Sequence, residues 1–210
     1  MQLDLPQDQS RRSPRDALSA DCPILLTERL TLRAPHIEDV DALAHLANNA
    51  RVATMVSRMP HPYSRADAVN FVNRATDGRT IDGAIGKCVY AITIAETGAF
   101  LGCVGLEPHD DGATLELGYW LGQPYWGAGY ATEAAHAVVD MAFRTRDIEQ
   151  IDARCRVTNH ASRRVIQKCG FQYQGTGMVP SLALGGAVPV EWFRLDRKTW
   201  ISLRTWGAER

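Results

Sequence analysis

Residues 122–134 read GQPYWGAGYATEA. Gly127 and Gly129 flank Ala128, so the backbone there is free to turn tightly and to come close to a ligand. Upstream, Leu115, Leu117, Tyr119 and Leu121 alternate with Thr114, Glu116, Gly118 and Trp120, the two-residue period of a strand. Downstream, Ala131, Ala134, Ala135, Val138, Val139 and Ala142 recur at i, i+3, i+4, i+7, i+8 and i+11, the apolar face of a helix. The stretch is a strand-to-helix turn. The first N–H groups of such a helix have no intrahelical acceptor, and the dipole ends positive there, which together suit phosphate. No basic residue lies in the loop. A dinucleotide fingerprint is excluded, because position 132 is Thr and Asp152 opens the next strand instead of ending it. A pyrophosphate cradle and a purely structural turn both fit the same residues.

The flanking pattern places the turn in a fold. Residues 28–34 alternate as a strand. Ile37, Val40, Leu43, Ala44 and Ala47 share one helical face, and a second helix starts at Ser64, with Asp67 at capping-box spacing. Residues 88–95 and 99–106 are strands joined by the turn Glu96-Thr97-Gly98. Residues 151–157 form a further strand. Asn159 caps a short helix over 161–168 that stops at Gly170. Two last strands cover 171–175 and 188–195, with a long Gly- and Pro-rich loop between them, and Asp196 caps a final helical turn through 200–203. The expected fold is mixed α/β, a mostly antiparallel sheet with one βαβ crossover, and not the strict alternation of a doubly wound fold.

The chain has 210 residues, which suits one domain: a flexible tail over 1–22 and a single domain over 23–210. Lys and Arg total 23 against 24 Asp and Glu, so no basic excess points to nucleic acid. No run approaches the length of a membrane span, and the first residues lack the apolar core of a secretory signal. Five cysteines, at 22, 88, 103, 155 and 169, form no C-x-x-C pair and no metal or disulfide framework. They read as reduced, buried apolar residues of a cytoplasmic protein without a metal.

Four blocks in order resemble one family. They are LTERLTLR at 26–33, ELGYWL at 116–121, YWGAGYATEA at 125–134 and NHASRRVIQKCGF at 159–171. Together they resemble the GNAT superfamily of acyl-CoA N-acyltransferases, in its Rim-type subgroup of ribosomal-protein N-terminal acetyltransferases, from residue 25 to 203. The resemblance implies the acyl-CoA N-acyltransferase fold, with the parallel strands over 115–121 and 151–157 splayed apart, and acetyl-CoA as co-substrate. It implies that Tyr125, Trp126, Gly127, Ala128, Gly129 and Tyr130 hold the CoA pyrophosphate through backbone N–H groups. Leu117, Gly118 and Tyr119 would pair with the pantetheine arm, a backbone N–H of that strand would polarise the thioester carbonyl, and Asn159 would contact the arm. Two departures stand out. The Gln or Arg that often opens the superfamily loop is Pro124 here, and the position of a common Tyr acid is Ile166. The Rim-type alternative, a serine, is present as Ser162.

Acetyl transfer to an amine needs a neutral amine, a stabilised carbonyl oxygen and a proton for the departing thiolate. Glu116 is the candidate base and Ser162 the candidate acid, while Glu133 suits the helix dipole and orients the loop. Water could also serve as base. No G-x-S-x-G elbow points to an acyl-enzyme. Trp120, Tyr125, Trp126 and Tyr130 surround the loop, and the uncharged loop over 175–189 would overhang the acceptor. The expected function is acetyl transfer from acetyl-CoA to a primary amine, a protein N-terminus or a small molecule, by direct attack in a ternary complex. The alternative is a non-catalytic CoA-binding sensor. Monomer and homodimer are both open, and neither nucleic acid nor membrane is an expected partner.

Overall fold

Leu30 and Leu32 are fully buried between the half-exposed Thr31 and Arg33, and this alternation makes a strand with one face on the core. The same rule builds a sheet of eight strands in the computed structural model, which describes residues 23–76, 87–109 and 114–208. In chain order they are β1 (Leu25–Leu26), β2 (Leu30–Arg33), β3 (Cys88–Ile94), β4 (Phe100–Pro108), β5 (Leu115–Leu121), β6 (Gln150–Arg156), β7 (Gln172–Ser181) and β8 (Gly186–Asp196). Their spatial order is β1-β2-β3-β4-β5-β6-β8-β7. Every neighbouring pair is antiparallel except β5 and β6. The fold is the mixed, mostly antiparallel one expected, with its single crossover.

Two helical layers cover the two faces. On one, α4 (Tyr130–Thr145) buries Ala134, Ala135, Val138, Val139 and Ala142 against Leu115, Leu117, Ile151 and Ala153. Helix α5 (His160–Lys168) adds Ile166 to the same core, and α6 (Arg197–Ala208) packs Trp200 on its border. On the other face, α1 (Val40–Ala47), α2 (Ala50–Ala53) and α3 (Arg65–Thr76) enclose a second core with Ala91, Phe100 and Cys103. The Ser64–Asp67 capping box is formed: each backbone N–H donates to the other's side chain, at 2.8 and 3.2 Å. Thr199 N–H donates to Asp196 at 2.7 Å, so the final cap is as expected, although its helix runs longer.

The loop expected over 175–189 is instead a ladder. β7 and β8 pair from Gln172↔Arg194 to Ser181↔Gly186, leaving only a short turn. Glycines and prolines hid the alternation. Pro180 is tolerated because β7 is the sheet edge, and Pro189 lies one residue past the last β6 partner, Val190. Val179, Val188 and Val190 form their own small cluster with Trp192. Of the cysteines, Cys103, Cys155 and Cys169 are buried free thiols, while Cys88 is disulfide-bonded, against expectation. The proposed tail, 1–22, lies outside the described residues. Among those described, no helix is long and apolar enough to cross a membrane.

The parallel pair positions the site. β5 and β6 are paired only at Leu115↔Ile151, Glu116↔Asp152 and Leu117↔Ala153. Beyond that point β5 stays with β4 and β6 with β8. The sheet opens from Gly118 onward, and the opening leads to the turn before α4.

Candidate active site

The turn is built by its glycines. A single turn of 3-10 helix, Gln123–Tyr125, follows β5. Gly127 and Gly129 then take φ of 80° and 85°, and Gly129 caps α4 in the left-handed region. The Trp126 indole N–H donates to the Leu121 carbonyl at 2.8 Å and pins the turn to the end of β5. The first bond of α4 runs from Glu133 N–H to Gly129 O. The N–H groups of Tyr130, Ala131 and Thr132 precede it, so the helix presents free donors to solvent. A Cβ at Gly127 would meet nothing within 4 Å, and one at Gly129 only an Arg29 nitrogen at 3.4 Å. The outer surface of the turn is open for an anion to approach.

Arg29 is the residue that sequence reasoning missed. Its Nε donates to Glu133 Oε2 at 2.7 Å and its backbone N–H to Oε1 at 2.9 Å. Thr27 Oγ1 donates to the same Oε1 at 2.6 Å. Arg29 Nη1 also donates to the Ala128 carbonyl at 2.9 Å, and the guanidinium lies 4.7 Å over the Tyr130 ring. A loop without a basic residue thus borrows one from the β1–β2 turn. The signal was present: Thr27 and Arg29 belong to the first family block and Glu133 to the third. Burial raises the Glu133 carboxyl, but bonds from Thr27 and Arg29 outweigh it and hold the group below the usual carboxylate range.

The sheet opening holds the expected acid. The Tyr119 hydroxyl lies 2.8 Å from Ser162 Oγ and donates to the Ser162 carbonyl at 3.1 Å. Asn159 Oδ1 accepts from Ser162 N–H at 3.1 Å, so the Asn159 side chain caps α5 and places the serine in its first turn. Burial pushes the Tyr119 phenol well above its ordinary value, against the opposing bond from Ser162, so it stays protonated. Leu117 is buried in the core, and Gly118 stands exposed where the β6 partnership ends. Tyr119, Asn159 and Ser162 are thereby brought together across the gap. Tyr125 and Tyr130 pack on the main core, whereas Trp126 is exposed.

Glu116 does not join them. Alternation puts it on the opposite face of β5, and both its carboxylate oxygens accept from Arg154, Oε1 from Nε at 2.8 Å and Oε2 from Nη2. Arg154 in turn lies 5.0 Å over the Trp192 ring. The residue offered as candidate base is thus engaged at both oxygens by a guanidinium. A sequence shows that Glu116 lies on the site strand, but not which arginine two strands meet.

The chain compares directly with known proteins. The family model described as acetyltransferase (GNAT) domain matches residues 29–172. An uncharacterized N-acetyltransferase, p20 of Bacillus licheniformis, is 28% identical over 177 residues, covering 83% of this chain and 96% of the relative. An acetyltransferase of the GNAT family from Bacillus anthracis superposes with a TM-score of 0.72 at 20% identity, over 84% of this chain and 99% of that one. The ribosomal L7/L12 α-N-protein acetyltransferase RimL, in complex with coenzyme A, superposes with a TM-score of 0.70 at 22% identity, over 83% and 98%. Turn, opening and matched family agree with the resemblance carried by the four sequence blocks, and the chain belongs to the GNAT family of acetyltransferases.

Proposed function

We propose that the protein moves an acetyl group from acetyl-CoA to a primary amine by direct attack, with both substrates bound together. The observation that carries this reading is the continuity of the αL-glycine turn with the gap between β5 and β6. The turn fits a pyrophosphate, since free N–H donors and an open approach converge there, over a loop that the Arg29–Glu133 pair braces from behind. A pantetheine arm lying along Gly118 and Tyr119 would take up strand donors and acceptors that β6 leaves, and one such N–H would polarise the thioester carbonyl. Asn159 would border the arm. The thiolate would leave beside Ser162, whose hydroxyl gives it a proton and regains one from water, while Tyr119 holds the serine in place. The amine would lose its proton to water, because Glu116 is held by Arg154. Direct attack fits the absence of a nucleophile elbow, so no acyl-enzyme enters the scheme.

Thiol release from acetyl-CoA, over a panel of amines and N-terminal peptides, tests the reading. Release with at least one amine is expected. Acetyl-CoA protection in a thermal melt without any release would instead make the domain a CoA-binding sensor.

A further inference from the structure

Four arginines project from the strands and helix around the opening, and three of them hold a carboxylate in the same way. Arg154 uses Nε and Nη2 on Glu116, Arg163 uses Nε and Nη2 on Glu191, and Arg194 uses Nε and Nη2 on Asp152. Arg156, the last residue of β6, differs. Its Nη1 donates to the Thr54 carbonyl at the end of α2, at 2.7 Å. Its Nε is buried with no hydrogen-bond partner, and among the described residues no carboxylate pairs with it. An uncompensated, partly buried charge is costly, and among the described residues this guanidinium donates to a carbonyl and pairs with no carboxylate, so its charge is left for an oxyanion.

Its position gives that charge a use. Arg156 lies on the same face as Glu116, three positions past the last β5–β6 pair, and so beside the opening on the side away from Ser162. Gly118 shares this face, and a Cβ there would meet nothing within 4 Å, so the space is open. Glu107 pairs directly with Glu116 in the ladder and is bridged by Arg58 and Lys87. Around these strands the described cations Arg58, Lys87, Arg154, Arg156, Arg163 and Arg194 outnumber the carboxylates Glu107, Glu116, Asp152 and Glu191. A guanidinium without a carboxylate beside the opening repels a polycationic acceptor and favours an anionic one.

Building on the acetyl-transfer reading, we propose that the acceptor amine is carried on a small molecule with an oxyanion, a carboxylate or a phosphate, and that Arg156 is the counterion that orients it. The test measures thiol release by the full chain with matched acceptors. Amino acids and dipeptides are compared with their C-terminal amides, and amino-alkyl phosphates with the parent amines. The anionic member of at least one series should have a kcat/KM roughly 10- to 100-fold higher, the range for a hydrogen bond to a charged group. The favoured series tells carboxylate from phosphate. Arg156→Gln should abolish the preference and leave the neutral acceptors and the acetyl-CoA KM unchanged, while Arg156→Lys should keep part of it. If Arg156→Gln does not fold, the wild-type preference and Arg156→Lys decide. Equal or faster transfer to neutral acceptors overturns the anion site alone, as does an Arg156→Gln loss that is the same for both members of a pair. No transfer to any member, with acetyl-CoA still bound, overturns the anion site and the transferase reading together.

Discussion

The two ends of the site are built from different materials. At the turn before α4 the groups on offer are backbone N–H donors, shaped by two glycines with positive φ and held by Arg29 and Glu133 from behind. At the sheet opening the groups that meet are side chains: Tyr119 and Ser162 on one face, Glu116 and Arg154 on the other. Each end contains a glutamate bound by an arginine, yet the two pairs do different things. Glu133 ties a loop to a neighbouring strand turn, whereas Glu116 ties β5 to β6 where they part. A backbone-built end tolerates side-chain exchange and fails when a Cβ is added. A side-chain-built end fails one function at a time.

The sharpest break of this contrast is Gly129→Val. A β-branched residue in the left-handed region costs up to about 3 kcal/mol, so the turn relaxes and binding must pull it back. Acetyl-CoA affinity by calorimetry should fall roughly 100-fold in a protein that still melts cooperatively. Unchanged affinity would show that the turn does not hold the pyrophosphate.

At the other end, Ser162→Ala should lower kcat by roughly 10- to 1,000-fold with acetyl-CoA affinity intact, since an acid acts only on the departing thiolate. Tyr119→Phe should show a smaller loss of the same kind. Full activity of Ser162→Ala would mean that the thiolate leaves unaided.

Glu133→Gln separates the two glutamates. It should raise the acetyl-CoA KM about five- to tenfold with little change in kcat, the pattern of lost positioning. Because the Glu133 carboxyl titrates below its ordinary value of 4.5, its hold on the turn is complete above that pH and is lost as pH falls through the lowered value. Wild-type acetyl-CoA affinity should therefore drop in that acidic window, and the Glu133→Gln variant should lack the step.

Glu116→Gln should have the smallest effect, about two- to fivefold in kcat/KM, and the same at every pH from 6 to 9, as for a residue that positions Arg154. A defect that grows at low pH and vanishes at high pH would restore Glu116 as the base.

Much of this was legible in the chain alone. The period of Ala131 to Ala142 named α4 and its buried face, the alternation through Leu115–Leu121 named β5, and Gly127 and Gly129 marked a turn that only residues without a Cβ adopt. These are local rules, in which each residue's neighbours in sequence are its neighbours in space. The hairpin over 172–196 was half missed because Gly175, Gly177, Pro180 and Pro189 carry turn signals inside strands, and edge position overrode them.

The sequence by itself determined the order of the longer elements, though not β1 or α2, together with the site strand, the glycine turn and the caps at Ser64, Asn159 and Asp196, because helical and strand periods and capping act within a few residues. Only the tertiary structure decided which charges meet. Arg29 reaches Glu133 across 104 residues, Arg154 takes Glu116 across 38, Tyr119 finds Ser162 across 43, and Arg156 is left with a carbonyl instead of a carboxylate. Pairing between distant charges depends on sheet order and register, and no local period encodes it.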